Sequence, residues 1–120
     1  MTMILEVCSG DIAGVEAAAR GGAARVELCS ALDCGGLTPS AGMIAEALRV
    51  PGLRVHVLIR PREGDFVYSR REVDVMLSDI AEARRLGAHG VAVGALTADG
   101  AVDVEAMRQV VDAASGMQLT

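Results

Sequence analysis

Two short segments, Leu5-Glu6-Val7-Cys8 and Val26-Glu27-Leu28-Cys29, each set a glutamate and a cysteine two residues apart in an apolar run. Residues two apart on a β-strand share a face. Glu6 and Cys8 therefore point one way, as do Glu27 and Cys29, and Leu5, Val7, Val26 and Leu28 point the other. A carboxylate and a thiol on one buried face are costly unless they are paired or hold a ligand. Thiols on adjacent strands, roughly 4.8 Å apart, form a soft donor pair that suits Cu(I). Against that stands the packing role of free cysteine, which behaves as a small hydrophobe. Two neighbouring carboxylates raise one pKa, as a general acid or base needs. With Arg60 beside them, the same two would form a buried ion network that holds strand register.

A second group surrounds a loop. Arg60-Pro61-Arg62-Glu63-Gly64-Asp65-Phe66-Val67-Tyr68 joins cations, carboxylates, a glycine and both aromatic residues of the chain. Long loops of this content serve as binding loops or lids; the alternative is a surface loop pinned by Phe66. Arg62, Asp65, Phe66 and Tyr68 are thus candidates for substrate binding. His56 joins them, although a lone histidine within a strand also reads as a hydrogen-bonded core residue. Cys34-Gly35-Gly36-Leu37-Thr38-Pro39-Ser40 ends at a helix start, where backbone amides receive anions, or it only makes a tight turn.

These residues need strands and helices to place them, and the apolar periodicity supplies both. Strands are expected at about Met3–Cys8, Arg25–Cys29, Arg54–Arg60 and Gly90–Ala95, with the start of a fifth at Leu119-Thr120. A helix from about Asp11 turns Ile12, Val15, Ala18 and Ala19 inward and ends at Gly21-Gly22. The next begins near Ser40, with Thr38 as a possible cap, Pro39 at the first helical position and Pro51 as the stop. Ser69-Arg70-Arg71-Glu72 fits a capping box ahead of a third helix bearing Val73, Met76, Leu77, Ile80 and Ala83. A fourth spans about Val104–Ala114, with Met107, Val110 and Val111 inward.

Alternating strands and helices imply a parallel sheet with right-handed crossovers. Arg20-Gly21-Gly22-Ala23-Ala24-Arg25-Val26 is echoed by Arg85-Leu86-Gly87-Ala88-His89-Gly90-Val91, two units later. The fold class is α/β: parallel (β/α) units of a TIM-type (β/α)8 barrel, about the first four plus the start of strand five. Such a barrel takes about 250 residues, so residues 1–120 read as one domain, the N-terminal half of a barrel cut short in its fifth strand. The lining then consists of Glu6, Cys8, Glu27, Cys29, His56, Leu58, Arg60, Gly90, Ala92 and Gly94. Stability alone would fill a barrel with bulky branched side chains, and this lining is different.

A net charge of −5 and the lack of a basic stripe argue against nucleic acid as a partner. No apolar run reaches the roughly 18 residues of a spanning helix, which argues against a membrane. Strand-like sequence from Met3 and an odd count of three cysteines lead to an expected cytoplasmic location with reduced thiols.

Six motifs give the chain a resemblance to a known family. They are Leu5-Glu6-Val7-Cys8, Arg25-Val26-Glu27-Leu28-Cys29-Ser30, Gly35-Gly36-Leu37-Thr38-Pro39-Ser40, Ile59-Arg60-Pro61-Arg62, Gly64-Asp65-Phe66 with Tyr68-Ser69, and Gly94-Ala95-Leu96-Thr97 with Asp99-Gly100. In this order they resemble the CutC family, named for copper homeostasis. The resemblance implies a (β/α)8-type barrel in the cytoplasm that self-associates as a dimer or tetramer, and a Cu(I)-binding role for Cys8 and Cys29. Family members are about twice as long, and Cys34 stands where an acidic residue is expected. The rival reading is a barrel enzyme on a small anionic or sugar-like metabolite, with Glu6 or Glu27 as acid/base and Arg60 as anchor. A scaffold whose interior charges are purely structural is the third.

Overall fold

The structure is a computed structural model that describes residues 2–120. Strands β1 (Glu6–Ser9), β2 (Arg25–Leu28), β3 (Arg54–Ile59), β4 (Gly90–Val93) and β5 (Gln118–Leu119) form one sheet in the order β1-β2-β3-β4-β5. Every neighbouring pair is parallel. Helices α1 (Ile12–Arg20), α2 (Ala41–Leu48), α3 (Arg70–Leu86) and α4 (Val104–Ala113) fill the crossovers. These are the consecutive (β/α) units of a TIM-type barrel that the alternation implied.

The two faces of the sheet divide as the strand period requires. Val26, Leu28, Val55, Val57, Ile59 and Val91 are almost fully buried and pack with Val15, Ile44, Ala47, Met76, Ile80, Ala83 and Val110 from the helices. The other face carries the polar side chains. Parallel register aligns Cys8, Glu27, His56, Gly90 and Gln118 in one row across all five strands. A second row, Glu6, Arg25 and Arg54, lies two residues nearer the strand starts.

Helix ends follow their local chemistry. Asp11 caps α1, and the Ser69–Glu72 pair forms a reciprocal capping box on α3, a feature worth about 1 kcal/mol. Gly87, with φ of 97°, closes α3 in the left-handed conformation that glycine adopts freely. The internal echo is structural: Ala23 N donates to Ala18 O, and Ala88 N donates to Ala83 O, the same step from helix to strand.

Four boundary expectations need correction. The cap of α2 is Ser40, whose hydroxyl accepts from Met43 N, and not Thr38. The Thr38 hydroxyl is occupied, accepting from Arg60 N at 2.9 Å, so Thr38 clasps its loop to the end of β3. β1 begins at Glu6 and not Met3; Met3, Ile4 and Leu5 are exposed, and only Leu5 O joins the next strand, accepting from Ala24 N and Arg25 N. β4 ends at Val93, two residues early, where Ala95 O turns to accept from Asp103 N. On α4 the buried line is Ala106, Val110 and Ala114, spaced by four, which leaves Val111 52% exposed rather than inward.

Candidate functional site

Cys8 and Cys29 meet at the C-terminal ends of β1 and β2, with their Sγ atoms 3.4 Å apart. Both are free thiols; Cys8 is exposed and Cys29 is fully buried. Cys29 N donates to Ser9 O at 3.0 Å and so extends the ladder one step past β2. Its Sγ lies 3.5 Å from Ser9 O. Burial, then the Cys8 thiol, pushes the Cys29 pKa up to about 12, so Cys29 is a thiol and not a thiolate at neutral pH. Gly36 (φ 96°) lies against it: a Cβ there would meet Leu58 Cδ2 at 2.9 Å and Cys29 Cβ at 3.5 Å. The positive φ and the close Leu58 contact together favour glycine at this position. The third cysteine, Cys34, is turned away, its Sγ 3.2 Å from Ala31 O in its own turn.

The two glutamates differ. Glu6 is paired with Arg25. The Glu27 carboxylate has no hydrogen bond or ion pair among the described residues, and its pKa is raised, first by burial and then by the Glu6 charge. The two therefore interact, but Arg60 does not complete the group as expected. Its guanidinium donates to Cys34 O, Gly36 O and Gly64 O, each at 3.0 Å, and stacks on the Phe66 ring 5.2 Å away. Arg60 thus ties two loops together above the sheet, its two terminal nitrogens donating to carbonyls in place of carboxylates, while its Nε is buried without a partner among the described residues. Arg25 takes the cationic place beside Glu6. Arg25 lies two residues before Glu27, so the strand period already placed it on the inner face.

The 60–68 loop is held from within. Arg62 binds Glu72 at 2.6 Å, Asp65 at 3.1 Å and Val67 O at 2.8 Å, and stacks over Tyr68 at 5.1 Å. Its donors and the Asp65 carboxylate are therefore committed to shaping the loop. Tyr68, not Phe66, is the pin: Tyr68 is 9% exposed and Phe66 42%. Burial raises the Tyr68 pKa. Leu96 N donates to Phe66 O at 2.9 Å and joins this loop to the one after β4.

His56 is buried in the polar row, with Nε2 2.9 Å from Gln118 Oε1. Its pKa is lowered chiefly by burial. Gly90, its neighbour in the row, must lack a side chain, since a Cβ would come within 2.7 Å of His56 Nε2 and of Gln118 O. Gln118 lies in a two-residue strand, which shows no periodicity of its own in the sequence.

The polar face thus carries a thiol pair at its rim, an unpaired glutamate beside it, and a charged and hydrogen-bonded floor. The CutC family model matches residues 3–120. The chain belongs to the CutC family. A CutC family protein from Agrobacterium fabrum is 52% identical over 118 residues, which cover 98% of this chain and 47% of that protein. One from Porphyromonas gingivalis is 48% identical over 120 residues, all of this chain and 48% of that protein. The crystal structure of a putative copper homeostasis protein CutC from Streptococcus agalactiae superposes with a TM-score of 0.90 at 40% identity, covering 98% of this chain and 58% of the other. The chain spans about half the length of the curated CutC relatives it matches. Among the described residues no helix is long and apolar enough to cross a membrane.

His56 gives this CutC chain a definite pH response. A folded-state pKa below the ordinary 6.5 means that the unfolded chain binds the proton more readily. Stability from this group is present above that value and is lost as pH falls through the folded pKa. Thermal unfolding between pH 7.5 and 5 should show this loss, and His56→Gln should flatten the curve. Parallel curves for the two proteins would remove His56 as the cause.

Proposed function

We propose that the chain binds Cu(I) through Cys8 and Cys29 and takes part in copper handling. The observation that carries this reading is the 3.4 Å approach of two free sulfurs at the strand ends. Soft thiolates select Cu(I), and the ion is cargo rather than a resident cofactor. Among the described residues no three His, Cys, Asp or Glu side chains converge as a ligand set. A closed structural zinc site takes four ligands, so a two-sulfur donor set fits Cu(I) better. Cys8 gives solvent access, and Cys29 supplies a buried sulfur in contact with it. The name of the Streptococcus agalactiae relative, a putative copper homeostasis protein, supports the assignment. The setting we assign is a cytoplasmic barrel that self-associates as a dimer or tetramer, with no nucleic-acid or membrane partner.

Metal binding requires the thiolate, so Cu(I) must displace the Cys29 proton. Affinity then rises with pH, by about tenfold per unit for each thiol proton displaced. Anaerobic competition with a chromophoric Cu(I) chelator at pH 6, 7 and 8 should show that rise. Cys8→Ser and Cys29→Ser should each abolish high-affinity binding. Unchanged affinity in the double variant would exclude this site.

One observation favours a second reading, an enzyme acting on a small anionic or sugar-like metabolite. Glu27 is unpaired, partly buried and held above its ordinary pKa beside Glu6, which suits an acid/base group. Glu6 and Arg60, already committed to Arg25 and to loop carbonyls, would position the site, with His56, Arg62, Asp65, Phe66 and Tyr68 around it. Native mass spectrometry of the purified protein should then reveal a bound small molecule that Glu27→Gln releases. A ligand-free spectrum under gentle conditions would count against the enzyme.

A further inference from the structure

We propose that Cys8 and Cys29 are a redox-active dithiol, a modification site that exchanges with small-molecule disulfides and closes to an intramolecular disulfide. The inference goes beyond copper binding and stands whether or not the metal binds. It rests on three observations. The sulfurs are in contact across adjacent strands at 3.4 Å, and a disulfide needs closure to roughly 2.05 Å. The pair is unequal in access, since Cys8 is exposed and Cys29 has no exposed surface. The buried member is held against the end of β1, with Cys29 N donating to Ser9 O at 3.0 Å and its Sγ 3.5 Å from the same oxygen. Closure is therefore left to Cys8, the exposed partner.

The asymmetry assigns the roles. Cys8, as thiolate, attacks one sulfur of a small-molecule disulfide such as glutathione disulfide. A mixed disulfide forms on Cys8, and one glutathione thiolate leaves. Cys29 loses its proton to solvent and attacks the Cys8 sulfur. The Cys8–Cys29 bond forms, and the second glutathione thiolate leaves. The two protein thiols give up two electrons, the glutathione disulfide takes them, and the two protons pass through solvent to the two released thiolates. Exchange of this kind depends on thiolate fraction and access. Cys8 is exposed and Cys29 has no exposed surface, so the mixed disulfide forms on Cys8 first. Cys34 lies outside the pair, turned to Ala31 O, and keeps its thiol.

The test equilibrates the full 120-residue chain with glutathione and glutathione disulfide, anaerobically and with a chelator present to exclude metal. Samples are acid-quenched, alkylated and mapped by peptide mass spectrometry. Alkylatable thiols should fall from three to one, with a linked Cys8–Cys29 peptide, and dithiothreitol should restore all three. Cys29→Ser should stop at glutathione on Cys8. A folded protein that yields no Cys8–Cys29 peptide, or that links Cys34 instead, overturns the proposal. So does a Cys29→Ser protein whose Cys8 stays unmodified. The linked peptide is read on the wild-type chain, so a variant that fails to fold does not remove the test. A null copper titration with a positive disulfide map would reject the copper reading alone.

Discussion

The strict alternation of parallel strands governs everything else in this molecule. One face of the sheet must be apolar enough to seat four helices, and Val26, Leu28, Val55, Val57, Ile59 and Val91 meet that demand with almost no exposed surface. Burial at this density supplies the dominant favourable term in folding. Once that face is committed, the intervening residues must share the other, and they are Glu6, Cys8, Arg25, Glu27, Cys29 and His56. The register then fixes which of them are neighbours. Cys8, Glu27 and His56 lie side by side because β1, β2 and β3 pair without a bulge.

The loops above the strand ends finish the site by a different means. Backbone carbonyls of the 34–36 and 60–64 segments converge on the Arg60 guanidinium, and Arg62 gathers Glu72, Asp65 and Val67. The two arginines thus tie the loops above the strand ends together. Their stacking on Phe66 and Tyr68 explains why the only two aromatic residues of the chain fall in this loop. Gly36 completes the arrangement by carrying the first loop against Cys29 without a side chain in the way.

Much of this was legible in the sequence, because a period of two and a period near 3.6 are simple to separate over four consecutive units. The capping box at Ser69 and the glycine stop at Gly87 follow from local rules, and the strand alternation puts Cys8 and Cys29 on one face at neighbouring strand ends. Partner choice does not. Nothing in the order of residues says that Glu6 takes Arg25 while Arg60 turns to carbonyls, because both cations lie within reach of the same face and only the loop path decides between them. Val111 and Thr38 failed for similar reasons. The phase of α4 is set by its packing against α3, and the Thr38 hydroxyl is claimed by the end of β3 before it can cap a helix. Gln118 had no period to betray it.

Membership of the CutC family and the contact between two free thiols support the proposed claim that the chemistry of this chain centres on the Cys8–Cys29 pair. X-ray absorption at the copper edge, on anaerobically Cu(I)-loaded protein, tests that claim most directly. The account predicts a low-coordinate Cu(I) whose protein ligands are the two sulfurs, lost together in the Cys8→Ser, Cys29→Ser protein. A first shell dominated by nitrogen or oxygen, unchanged in that variant, would contradict it.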